Sequence, residues 1–270
     1  MSQRKRAVHK LYLDTKADIP FPSAQLVIYQ PSIEEICYLG EPQFFVAANS
    51  LTRDYKKLKV EDNFDLDSLT NFDILMSIMR EKTENSHYIF SSVYQLLELI
   101  FPRYKINFTP RSFIFQPLNK GDNNEPPQTL MIDKNNFDDF SNIIYDMFGL
   151  AALTGDTETD YNPQGDRARA LAEKFKKKHE YLADMRKQRG EDVALSSVFG
   201  RYINILAIGM KKDKNELKKY SVYQLIEEFK RFQLKETFDY TFQARMAGAQ
   251  NVKDAKDWMQ DITLGVDLEE

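Results

Sequence analysis

A chain of 270 residues, 42% apolar with 19 Phe and 14 Tyr, has enough material for a sizeable core and for two domains of ordinary size. Its net charge of −4 argues against a dedicated nucleic-acid binder, and a single cysteine, Cys37, excludes an internal disulfide and suits a reducing cytoplasm. The mean hydropathy of −0.53 fits a soluble protein, no apolar run nears the roughly 18 residues of a membrane span, and no apolar stretch follows the basic start as in a signal peptide.

Residues 1–30 read as a basic, extended arm. Arg4, Lys5, Arg6 and Lys10 open it, Pro20 and Pro22 forbid a continuing helix, and QLVIY over 25–29 is strand-like. Such a terminus is either a solvated tail or an anchor for an acidic partner. Residues 31–152 read as an N-terminal helical domain. Ser32 and Glu35 have capping-box spacing, Ile33, Ile36 and Cys37 form the buried side, and Gly40 is the stop. Glu34 and Glu35 are first-turn acids, placed by the helix dipole, and do not form an acid/base pair. Pro42 opens the next helix, which carries Phe44, Phe45, Ala48 and Leu51. A polar connection over 53–71 leads to helices over about 72–80 and 92–101.

From Lys105 the period becomes two. Residues 105–108, 112–115 and 129–132 read as a small antiparallel β insertion spanning about 105–132, interrupted by the breaker-rich GDNNEPP. Three strands shelter only part of a face, so the insertion must pack on a helix, and the candidate is 137–148 with Phe137, Phe140, Ile144, Met147 and Phe148. Small and acidic residues make 153–162 a linker, and 163–265 a C-terminal helical domain.

That domain begins with a charged helix. Residues 166–189 hold nine Lys or Arg against four acids, beside an apolar seam of Ala168, Leu171, Phe175, Leu182 and Met185. Lys174, Lys176, Lys177 and Lys178 are its candidate partner-binding residues. The bland reading is a solvated charged face, the sharper one a dock for an acidic helix, with nucleic acid third. Helices then follow at about 193–210, 221–235 and from Asn251. Phe229, Phe232, Met246 and Trp258 are candidates for client contact, set against the alternative that this aromatic and Met content is simply the core of a small helical domain. The acidic C-terminus (Asp257, Asp261, Asp267, Glu269, Glu270) complements the basic helix and could clamp the domain or pair two copies.

One heptapeptide recurs. SVYQLLE at 92–98 matches SVYQLIE at 221–227 at six of seven positions, each copy preceded by an apolar helix candidate. Duplication of a helix–turn–helix unit and convergence on good capping chemistry both explain it. The second copy reads as the central helix of a C-terminal bundle.

Catalytic, cofactor and metal signals do not emerge. His9, His87 and His179 are scattered, one Cys gives no zinc spacing, and neither a phosphate-binding glycine loop nor a nucleophile elbow occurs. The expectation is a non-enzymatic protein without cofactor or small-molecule substrate.

Three stretches in order, QPSIEEICYLGE (30–41), YNPQGDRARALAEK (161–174) and ARMAGAQNVKDAKDWMQDI (244–262), resemble tail-module proteins of tailed bacteriophages of Gram-positive hosts, and within them the tail assembly chaperones. The resemblance implies a helper in the host cytoplasm that binds the hydrophobic tape measure protein and helps recruit tail tube subunits. It transfers no individual binding residue. The alternatives are a structural virion protein of the neck, tail or baseplate, which would sit in the virion, and a nucleic-acid-binding regulator using the 166–189 helix.

Overall fold

A computed structural model describes residues 7–57, 69–118, 130–153, 197–248 and 258–259. Backbone contacts divide the chain into two units, Met1–Leu150 with Asn215–Glu228, and Ala151–Lys214 with Phe229–Glu270. The fold is mainly α, and the β structure among the described residues lies in the first unit.

The first unit opens with α1 (Lys10–Thr15) and a hairpin of β1 (Ile19–Phe21) and β2 (Leu26–Ile28). The arm expected at the N-terminus is thus, from residue 7 on, built into the core. Ile19, Phe21, Leu26 and Ile28 alternate inward, while Pro20 and Val27 take the outer face. Each such side chain contributes about 1.5–3 kcal/mol when fully buried, which a solvated tail would forgo. Polar groups fix the entry: the buried Gln30 amide donates to the Tyr12 carbonyl at 2.7 Å, and the Ala7 N–H donates to Asp146 Oδ2 at 2.7 Å.

Helix α2 (Ile33–Leu39) starts from the expected capping box, with the Glu35 N–H donating to Ser32 Oγ at 3.2 Å and the Ser32 N–H to Glu35 Oε2 at 2.7 Å. Gly40 both ends α2 and caps α3 (Glu41–Thr52); its φ of +98° is a conformation that other residues adopt only with strain. Cys37, expected on the buried side, is exposed: Ile33 and Ile36 already fill the inward stripe.

After a short 3-10 turn at Tyr55–Lys57 come α4 (Asn71–Arg80), with a Thr70–Asp73 capping box, and α5 (Glu84–Ile100). The latter starts well before residue 92, because Thr83 Oγ1 accepts from the Ser86 N–H at 3.1 Å and the residues between continue the helix. The β insertion forms as expected: β3 (Tyr104–Thr109), β4 (Ser112–Pro117) and β5 (Leu130–Asp133) are antiparallel in the order β3-β4-β5. Its inner face meets helices through aromatic rings. Phe113 packs on Phe72 of α4 (centroids 5.2 Å apart), Phe115 on Phe101 (4.6 Å), and Phe101 and Phe72 on Phe140 and Phe137 of α6 (Phe137–Met147) (6.0 and 5.1 Å). The expected partner helix is therefore α6, with α4 and the end of α5 beside it. A short α7 (Leu150–Leu153) follows, and the linker and the basic helix over 166–189 lie outside the described residues.

Ser197 caps α8 (Val198–Gly209) through the Gly200 N–H at 2.8 Å, and a turn with α9 (Lys214–Leu217) leads to α10 (Val222–Met246). The chain from 215 to 228 belongs to the first unit. The Ile33 N–H donates to the Tyr220 carbonyl and the Glu34 N–H to the Lys218 carbonyl, both at 2.9 Å. Ser32 and Ser221 form an isolated antiparallel bridge, and Lys218 Nζ lies 2.9 Å from Glu34 Oε1. Ser221, Val222, Tyr223, Leu225 and Ile226 are buried there. The helix expected at the centre of a C-terminal bundle thus gives its best-packed turns to the N-terminal core. It also runs to Met246 instead of about 235, since no helix breaker intervenes before Gly248, which takes φ +81°.

Candidate partner-binding surface

Two candidate residues lie where α10 continues beyond Glu228 in the second unit. Phe229 is half-buried against Tyr202 of α8, with ring centroids 4.5 Å apart. The half-buried Phe232 ring lies over Gly209, where an added Cβ would come within 2.3 Å of Cζ. Both serve packing between α8 and α10. Trp258 is half-buried as well, and its carbonyl accepts from Arg231 Nη1 at 3.3 Å. Met246 differs, being 76% exposed. Lys174, Lys176, Lys177 and Lys178 fall outside the described residues.

Around Met246 the structure collects further apolar side chains on α10. Phe238 and Phe242 (58% exposed) precede Met246 at steps of four, so the three form one ridge along α10. Leu234, half-buried, continues the ridge toward the packed end of the helix. On neighbouring rows, Lys235 Nζ pairs with Asp239 Oδ2 at 2.6 Å, and the Thr237 and Thr241 hydroxyls donate to the Gln233 and Thr237 carbonyls, each at 2.8 Å. Those groups are satisfied along the helix itself. On α8 the face opposite the buried Phe199 and Leu206 shows Ile208, 80% exposed, with Ile205 on the flank. Single exposed apolar residues are ordinary; ridges at helical spacing are the pattern that receives an apolar partner helix. The steps of four from 234 to 246 were visible in the sequence as periodicity, but periodicity does not say which side of a helix is covered.

Elsewhere the described residues offer little reactive chemistry. Cys37 is exposed as a residue, yet neighbouring atoms desolvate its thiol in part and, with the Glu41 and Glu34 carboxylates, push it up, the direction opposite to the one that activates a nucleophile. For Glu35, burial works against ionisation, but hydrogen bonds from Ser32 and Tyr29, with Lys16 nearby, hold the carboxyl below its ordinary range. That is cap chemistry, not acid catalysis. Among the described residues no cluster of His, Cys, Asp or Glu could hold a metal ion, and no helix is long and apolar enough to cross a membrane.

Residues 195–263 match a family described as YomV second domain, and this stretch contains α8, α9, α10 and the exposed ridge. No curated protein and no solved structure matches the chain. The matched family is phage-associated, and over that stretch the chain is consistent with a phage protein.

Proposed function

We propose that the chain is a non-enzymatic factor of phage tail morphogenesis, a tail assembly chaperone that binds the hydrophobic tape measure protein in the host cytoplasm and keeps it soluble. The observation that carries this reading is the Phe238–Phe242–Met246 ridge, exposed within the stretch that matches a phage-associated family. A long client exposing apolar helical faces needs a surface that substitutes for its absent neighbours. Flexible Met and large aromatic side chains adapt to such faces without demanding one sequence. Resemblance to tail assembly chaperones over the three stretches quoted above supplies the client's identity. Tail tube subunits are the second partner it implies.

Co-expression with the tape measure protein of the same phage is the direct test. The expected outcome is a soluble complex that co-purifies. Phe238→Glu with Phe242→Glu, both at exposed positions, should reduce recovery of the client by roughly tenfold or more while leaving the helical circular dichroism unchanged. Failure to co-purify counts against the chaperone. Stoichiometric presence of the chain in purified mature particles, measured by mass spectrometry, would replace it with a structural role in the neck, tail or baseplate.

A further inference from the structure

The three-stranded sheet has two edges, and they are treated differently. The Leu118 N–H donates to the Arg103 carbonyl at 3.0 Å, which makes Arg103 and Leu118 a hydrogen-bonded pair of the β3-β4 ladder. Antiparallel pairing alternates, so Lys105/Gln116, Asn107/Ile114 and Thr109/Ser112 are the other bonded pairs. The N–H and C=O groups of Ile106 and Phe108 therefore point away from β4. By the same alternation, Phe113 and Phe115 of β4 bond to Ile132 and Leu130, which turns the groups of Met131 and Asp133 outward at the β5 edge. There the Asn136 side chain occupies them: its Nδ2 donates to the Met131 carbonyl at 3.1 Å, and its Oδ1 accepts from the Asp133 N–H at 2.9 Å. No described group plays that part for Ile106 and Phe108.

Beside this edge, unpaired among the described residues although Ile106 is buried and Phe108 half-buried, lies an apolar cleft of about 220 Å³, lined chiefly by Met76 and Met79 of α4, Phe90 of α5 and Phe108 of β3. Arg80 stands at its mouth, its guanidinium donating to the Pro110 carbonyl. The rings of Phe90 and Phe108 meet edge to face at 5.1 Å and form one wall. A strand hydrogen-bonded to β3 would run about 4.8 Å from it and point alternate side chains toward the helical layer, where the cleft opens. The hairpin itself carries charge of one sign. Between Phe101 and Leu118 the chain carries Arg103, Lys105 and Arg111 and no acid, within a protein of net charge −4. Arg103 is paired with Asp18 at 3.0 Å, so Lys105 and Arg111 are the charges a partner strand would meet.

We propose that the outer edge of β3 is a docking site for an extended, acidic segment of a partner protein, which adds as a fourth strand through the Ile106 and Phe108 backbone and seats one apolar side chain in the Met76–Met79–Phe90–Phe108 cleft. Charge decides the occupant. A second copy would set one basic hairpin against another, and a lysine on an edge strand is a recurrent device against such self-pairing. An acidic strand meets the same residues with favourable charge while using the backbone groups that give strand addition its affinity. The proposal concerns the first unit and stands independently of the reading of the α10 ridge.

The test uses the full chain and a fluorescein-labelled peptide, Glu-Val-Glu-Phe-Glu-Val-Glu, in an anisotropy titration. Saturable binding is expected, and alternate N-methylation of the peptide, which removes its donors without altering its charge, should weaken it about tenfold or more. Replacing the peptide's Glu by Lys, or introducing Lys105→Glu with Arg111→Glu at two exposed positions, should weaken it by a similar roughly tenfold factor. Hydrogen exchange gives a readout free of variants: the Ile106 and Phe108 amides should slow when the peptide binds, and the Met131 and Asp133 amides should not. Absence of binding, equal binding of the N-methylated or lysine peptide, or protection only elsewhere would overturn the proposal. So would a concentration-dependent dimer that protects the same two amides, because the edge would then belong to a second copy.

Discussion

Residues 92–98 and 221–227 share six of seven amino acids, yet the first copy lies in the middle of α5 and the second opens α10. In the second, Ser221 is a cap: its Oγ accepts from the Gln224 N–H at 3.2 Å, and Gln224 Oε1 accepts from the Ser221 N–H at 3.0 Å. In the first, Ser92 is buried among helical neighbours with no hydrogen-bond partner for its Oγ. Tyr223 is buried in the first unit, whereas Tyr94 lies at its surface against Phe90 and Phe108. What differs is the chain upstream. Residues 84–91 are helix-competent and already capped by Thr83, whereas the backbone at Lys218 and Tyr220 is held by Ile33 and Glu34 of α2, so no helix can run through to Ser221. Identical side chains thus acquire different work from the state of the backbone before them. That arrangement favours convergence over duplication as the source of the repeat.

The comparison can be broken most sharply at the tyrosines. Tyr223→Ala should cost about 3–5 kcal/mol, as for other large buried aromatics, while Tyr94→Ala should move the denaturation midpoint far less. Equal losses in chemical denaturation would mean that the two copies pack alike. The serines come next. Ser221→Ala should destabilise by about 1 kcal/mol through the lost cap, and Ser92→Ala should be neutral to slightly stabilising, because it deletes a buried hydroxyl with no partner. A loss at Ser92 matching that at Ser221 would contradict the placement of the two copies.

The smallest effect separates the two capping boxes that meet at the Ser32–Ser221 bridge, one closed by a carboxylate and the other by an amide. Glu35 has a folded-state pKa below its ordinary value of 4.5. The stability it contributes is therefore present above that value and is lost as pH falls through the lower, folded one. Glu35→Gln should flatten this acid limb while keeping the α2 cap, as Gln224 does for α10. Gln224→Ala should weaken the α10 cap with no change in the acid limb. A Glu35→Gln protein with the original acid profile would show that other carboxylates carry it.

Local signals in the sequence determined much of this molecule. Hydroxyl-plus-acid spacings placed the α2 cap, Gly40 its end, and the change from helical period to alternation placed β3, β4 and β5 within a residue or two. These are short-range effects, set by backbone hydrogen-bond needs and side-chain direction that a few neighbouring residues satisfy by themselves. Long-range pairing decided the rest. Whether residues 7–30 form an arm depended on Asp146 and on the carbonyls that Gln30 reaches, and whether Ser92 caps anything depended on Thr83. The Phe238, Phe242 and Met246 spacing was plain in the chain, but only the packing of Phe229 and Phe232 at one end of α10 shows that the opposite end is left facing solvent. A stripe records that a helix has an apolar side; the tertiary structure says what, if anything, covers it.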